Sequence, residues 1–232
     1  MIPRIFQSAL LAGLLAGLCI SLVQAVITTP MILEAETYEV ALPTLEAPPV
    51  CGPEQEDCNT GLNVWQPREG FERYLFTALA NVGAGVGFSL LLLAGMALRG
   101  AATSARVGLM WGVGGYAVFT LAPALGLPPE LPAVPTVDVA MRQVWWAFAV
   151  AGAGAGLSAL SFAKTAWVRG LGVVLFVLPH AIGAPHGPAL TSSIPPDLVA
   201  RFAAASIAVN AIFWALIGSL SGYFFRRFGP CA

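Results

Sequence analysis

The sequence predicts an all-α protein: a polytopic membrane helix bundle of about six transmembrane helices, forming one domain over residues 1–232. Composition is the first reason. Hydrophobic residues make up 57% of the chain and charged residues 10%, where soluble globular proteins carry about a quarter charged. Spacing is the second. A bilayer core about 30 Å thick needs roughly 20 mostly apolar residues per helical crossing, and such runs occupy 5–28, 73–98, 107–127, 143–163, 166–182 and 201–225. With a net charge of −1 and no basic face, the chain has nothing with which to neutralise phosphates, so nucleic acid is excluded as a partner and the lipid bilayer is expected instead.

The first run begins "MIPRIFQSALLAGLLAGLCISLVQA", which has the basic start, apolar stretch and Val-x-Ala of a secretory signal. It continues to Thr28, long enough to span, and is read as the first helix. Residues 29–72 are rich in Pro and Glu and read as an acidic extracytoplasmic loop, with a helical turn around "MILEAETYE". The second run opens on Arg73. The third ends in "LAPALGLPPELP" and the fifth in "VLPHAIGAPHGP", each a Pro and Gly passage that stops a helix.

A shift of 69 residues aligns the second run with the fourth, pairing Arg73 with Arg142 and "AGVGFS" with "AGAGLS". Two hairpins related this way point in the same direction through the membrane, a parallel duplication. Small residues four apart recur as Gly13 and Gly17, Gly83 and Gly87, Gly108 and Gly112, Gly152 and Gly156, and Gly218 and Gly222. Such pairs let helix backbones approach closely. "GAGVG" and "GAGAG" are not phosphate loops, because no strand precedes them and no Lys follows.

Charge sets the orientation. With both termini cytoplasmic, the inner side receives Arg4, Arg99, Arg106, Lys164, Arg169, Arg226 and Arg227, and the outer side Arg68, Arg73, Arg142 and Arg201. The basic excess belongs inside. Every carboxylate then falls outside, where the acids either concentrate cations at the membrane face or simply solvate a loop. The outer arginines either snorkel to headgroups or pair with those acids. Trp145 and Trp146 read as part of an interfacial aromatic belt. In the outer loop "CGPEQEDC" places Cys51 and Cys58 for a small disulfide ring or, without further ligands nearby, a thiolate metal site.

No H-E-x-x-H or G-x-S-x-G occurs, and the helix interiors offer neutral polar groups such as Asn81, Ser89, Ser158, Ser206 and Asn210. An enzyme needs a nucleophile with its base, or a metal with one, so catalysis is not expected and no cofactor is called for. Ion handling fits better. His180 and His186, the two histidines of the chain, lie six apart where the fifth run breaks into a Pro and Gly passage. Neutral imidazole suits Co, Ni, Cu and Zn, so the pair with nearby outer carboxylates forms a candidate divalent-metal mouth. The alternative is a rigid cap whose rings bond backbone oxygens.

Several passages resemble one family: "TPMILEAETYE", "EGFERYLFTALAN" leading into "GVGFSLLLLAG", "LGLPPELP", "RQVWW", "PHAIGAPHGP" and "FAAASIAVNAIFW". Together they are similar to the CbtA family, the larger membrane subunit of a predicted cobalt transporter, over nearly the whole chain. The resemblance implies cobalt uptake together with a small single-span companion subunit, CbtB-like, and a topology usually drawn with five spans. Glu34, Glu36 and Glu39 match its acidic "E-A-E-x-Y-E" passage, and His180 matches its histidine after the fifth-span proline. One departure stands out: where many members carry a histidine-rich run, this chain has "PPVCGPEQEDCNTGLN".

The combined expectation is a multi-pass protein of the bacterial plasma (inner) membrane, with both termini cytoplasmic. It would admit Co2+, or Ni2+, as substrate. Glu34, Glu36, Glu39, His180 and His186 would be the ligands, and Asn210 a step on a polar path. Two rivals differ in kind: a scaffold subunit without ligands, and a membrane-embedded enzyme with an organic substrate.

Overall fold

The computed structural model describes residues 1–40, 67–68, 70–100, 104–132, 134, 137–185 and 193–229. These form six helices: α1 (Ile2–Val40), α2 (Phe71–Leu98), α3 (Ala105–Ala124), α4 (Val139–Phe162), α5 (Ala166–Ile182) and α6 (Pro196–Arg227). No strand occurs among the described residues. Five of the six are long and apolar enough to cross a membrane, and α5, with 17 residues, falls short of that measure. The expected count of six is therefore five full spans plus α5, which at 1.5 Å per residue is about 26 Å long.

The expected boundary at Thr28 is corrected. α1 runs unbroken through Pro30 to Val40, 39 residues in all, or about 58 Å, nearly twice the hydrocarbon thickness. Hydropathy falls at "TTP", but helix formation does not depend on lipid. Met31, Ile32, Ala35 and Tyr38 recur at helical spacing and pack with Leu131, Ile194, Leu198 and Phe202 in a second apolar cluster at the bundle end. That packing holds the helix past the apolar run despite the backbone donor lost at Pro30.

The central cluster joins α1, α2 and α6 through Ala16, Ile20, Leu93, Met96, Phe213 and Ile217. Glycines set how close these helices come. A methyl group at Gly17 would lie 2.6 Å from the Val82 Cα, and one at Gly85 would lie 2.7 Å from the Gly13 carbonyl oxygen. α3 and α6 meet through Gly108 and Gly112 against Gly218 and Gly222, and α4 meets α5 through Gly152, Gly156 and Gly172. Four of the five expected glycine pairs are thus seams. The fifth is corrected: a methyl group at Gly83 or Gly87 would meet nothing within 4 Å among the described residues, and Gly85 between them makes the contact.

The aligned passages of α2 and α4 accordingly pack through opposite faces, since Gly152 and Gly156 are the contacting residues of α4. What they share is the opening arginine. Arg73 is ion-paired with Glu36, and Arg142 with Glu130 at 2.7 Å. Arg201 pairs with Asp197 at 3.0 Å. Pairing with acids, one of the two readings left open for these arginines, is thus seen at all three.

α4 and α5 form a hairpin that joins the other helices mainly through a π-helical turn of α3, Ala117–Leu121, and the last turn after it. At the opposite end, Arg99 of α2 sits 3.8 Å over the Phe162 ring of α4. The bundle therefore has an acidic end, with Glu34, Glu36, Glu72, Glu130, Asp138 and Asp197, and a basic end, with Arg4, Arg99, Arg106, Lys164, Arg169, Arg226 and Arg227. Arg4 closes the basic end by donating to the Phe225 carbonyl oxygen.

Candidate functional site

Three helices carry amide side chains near their midpoints. Asn81 of α2 donates from Nδ2 to Ser21 Oγ at 2.9 Å and to Gln24 Oε1 at 2.6 Å, both on α1. The glycine contacts at Gly13, Gly17 and Gly85 bring the two backbones close enough for this. Asn210 of α6 donates from Nδ2 to the Ser206 carbonyl oxygen at 3.0 Å, one turn back on its own helix. Polar side chains at membrane depth are costly and face the bundle interior or a wet cavity.

Here Gln24 and Asn210 line cavities. One of about 170 Å3 lies between α1 and α6, lined by Gln24, Thr28, Ile32, Ser206 and Asn210. A larger one of about 450 Å3 lies between α3, α4 and α6, lined by Thr120, Arg142, Gln143, Trp146 and again Asn210. Asn210 thus belongs to the walls of both. The π-helical turn helps shape the larger cavity: Thr120 Oγ1, which it presents, accepts from Trp214 Nε1 at 3.1 Å. Just before it, the Tyr116 hydroxyl donates to the Ile207 carbonyl oxygen at 3.2 Å. Such turns widen a helix locally and are frequent at functional sites.

The acidic end stands above the smaller cavity. Glu36 lies one turn beyond Ile32, and its carboxylate takes hydrogen bonds from both terminal nitrogens of Arg73. Glu34 is exposed. Glu39 lies in the last turn of α1, and its side chain is outside the described residues.

His180 is elsewhere, in the last turn of α5. Gly183, at φ 90°, ends that helix in a conformation suited to glycine. The imidazole is partly buried, with the Trp145 ring 6.0 Å away edge-on and the Phe176 ring at 6.3 Å. Its Nε2 and the Trp145 Nε1 are both buried without a hydrogen-bond partner among the described residues. Trp145 is therefore not a belt residue: it is 6% exposed, packed against Gly126 and beside the histidine. His186, Cys51 and Cys58 lie outside the described residues.

Among the described residues, no three His, Cys, Asp or Glu side chains gather as a metal-ligand set. Glu34 and Glu36 stand on α1, which packs on α2 and α6, while His180 stands on α5, which packs on α4. The expected ligands are thus spread over two parts of the acidic end. Gln24, Thr28, Thr120 and Gln143 were not singled out from sequence. A signal was present, since Gln24 and Asn81 interrupt apolar runs near mid-helix, but nothing in one dimension puts them beside each other.

Comparison with curated proteins and with solved structures finds no match. A family model does match: "Probable cobalt transporter subunit (CbtA)" covers residues 2–226, nearly the whole chain. With five helices fit to span a bilayer and partly buried amides lining cavities between them, this protein belongs to the CbtA family of probable cobalt transporter subunits.

Proposed function

We propose that the protein is the cobalt-admitting subunit of an uptake system in the bacterial plasma membrane, with its acidic end outside and both termini in the cytoplasm. The observation that carries this reading is Asn210, which lies near the middle of α6 and lines two part-polar cavities, at an end of the bundle whose described acids outnumber its arginines. The acids raise the local cation concentration. Glu34 and Glu39 receive the ion, Glu36 is drawn on once Arg73 releases it, and His180 with His186 supply borderline-soft nitrogen ligands. The protein acts as a carrier rather than an enzyme.

The seven basic residues at the other end support the orientation, since cytoplasmic ends of spans favour Lys and Arg. A doubly charged cation gains about 4.6 kcal/mol from an interior-negative potential of 100 mV, so inward movement requires no nucleotide. The outward stripe of small residues at Gly83 and Gly87 is the kind of surface on which a single-span companion packs. The deciding experiment is radiolabelled cobalt accumulation in cells making this protein with and without a CbtB-like companion. Accumulation above background when both are present is expected; background levels in both cases overturn the proposal.

A further inference from the structure

The smaller cavity has a chemistry of its own. Its polar lining comes from Gln24, Thr28, Ser206 and Asn210, all neutral, and the other lining residues are apolar. It sits at depth. Asn210 is 14 residues from Pro196 and 17 from Arg227, or about 21 Å and 26 Å along the helix.

Hydrogen bonding orients the amides. Only the NH2 group can donate to a carbonyl, so the bond from Asn210 to the Ser206 carbonyl fixes which way the amide points and leaves Oδ1 as a free acceptor. Asn81 in turn donates to Gln24 Oε1, which keeps a second lone pair. Thr28, 7% exposed, donates its hydroxyl proton to the Gln24 carbonyl oxygen at 3.3 Å, leaving lone pairs on Oγ1. The cavity therefore holds accepting oxygens supplied by two helices, and Asn81 acts as a positioning residue behind them.

We propose that this cavity is a transit site for a divalent cation that keeps part of its water shell, coordinated by the neutral oxygens of Gln24, Thr28, Ser206 and Asn210. The proposal rests on the transport reading and deepens it. At about 170 Å3 the cavity has room for about five waters at roughly 30 Å3 each. A bare ion this deep would demand a carboxylate or imidazole cage, whereas a partly hydrated one needs only dipoles. Neutral ligands also hold the ion weakly enough to release it, as conduction requires. Oxygen donors favour hard and borderline ions over soft ones, so discrimination between borderline metals falls to the acidic end. The larger cavity shares Asn210 but is lined by Arg142 and Gln143 of the acidic end, so it lies beside this site rather than beyond it.

Two measurements test this. Gln24→Leu and Asn210→Leu keep volume but remove the dipoles, and each is expected to slow cobalt uptake roughly tenfold or more at equal membrane abundance, the loss of one charge-assisted contact. Gln24→Glu preserves the bond from Asn81 and adds a charge. Purified in detergent, this variant is expected to retain Co2+ at least about tenfold more tightly than wild type in equilibrium dialysis, while transporting more slowly. Ser221→Ala, a buried serine away from the cavity, serves as the control with unchanged uptake. Wild-type uptake rates in both leucine variants, or unchanged retention in Gln24→Glu, overturn the site. Absence of uptake by the wild type overturns the transport reading, and dialysis still decides the site.

Discussion

Arg73 holds both carboxylate oxygens of Glu36 across the contact between α1 and α2. Arg142, its counterpart at a shift of 69 residues, stands 2.7 Å from Glu130. Both pairs fasten the opening of a helix at the acidic end to a segment that precedes it. Since Arg73 and Glu36 each keep 28% side-chain exposure, solvent screens the pair, and Arg73→Gln is expected to cost about 1 kcal/mol. Thermal unfolding in detergent checks this, with partial recovery in the exchanged pair Glu36→Arg with Arg73→Glu.

The glycine seams differ sharply from the glycine stripe beside them. A side chain at Gly108 meets the backbone of α6 at Gly218 and Gly222, so Gly108→Leu forces α3 and α6 apart. The expected loss is about 1–3 kcal/mol or more. At Gly83 an added side-chain carbon meets nothing within 4 Å among the described residues, so Gly83→Leu is expected to leave the unfolding temperature of the isolated protein unchanged. Equal losses in the two variants would contradict the packing described.

Trp214 joins the π-helical turn to α6 through its bond to Thr120, and its ring stacks on Phe119 at 5.6 Å. Thr120→Val and Trp214→Phe each remove the bond. A double-mutant cycle on unfolding is expected to return a coupling of about 1 kcal/mol. Additive losses would mean that the bond contributes nothing to the shape of the larger cavity.

Orientation is open to direct labelling. In a cysteine-free background, Glu34→Cys is expected to react with a membrane-impermeant maleimide in intact cells, and Lys164→Cys only after the cells are permeabilised. The reverse pattern would put the acidic end in the cytoplasm and remove the capture step.

The histidines separate a carrier from a scaffold. Replacing His180 and His186 together by Ala is expected to reduce cobalt uptake at limiting metal by roughly 10–100-fold, since losing a ligand costs at least as much as losing a group behind one. His180→Ala by itself also leaves Trp145 beside a small void, so unfolding must be measured alongside uptake. Full uptake in a folded double variant is the scaffold outcome.

The sequence by itself determined that this is an all-α membrane bundle and that its acids gather at one end. Partition between water and lipid acts on each segment separately, so apolar runs of the right length declare themselves without knowledge of their neighbours. The bounds of α5 read from sequence coincide with those observed, because Thr165 and Gly183 are breaks in local chemistry. At Thr28 the same reasoning stopped short. Hydropathy reports where lipid ends, while α1 continues on the packing of Met31, Ile32 and Ala35 against residues more than 90 positions away. Only the tertiary structure decided that Gly85 rather than Gly83 makes the seam, and that Glu36 belongs to Arg73 while His180 belongs to Trp145. It alone put Gln24 and Asn210 around the same space, with Asn81 bonded to Gln24 behind it. An amide within an apolar run carries no address until three helix backbones have closed on one another.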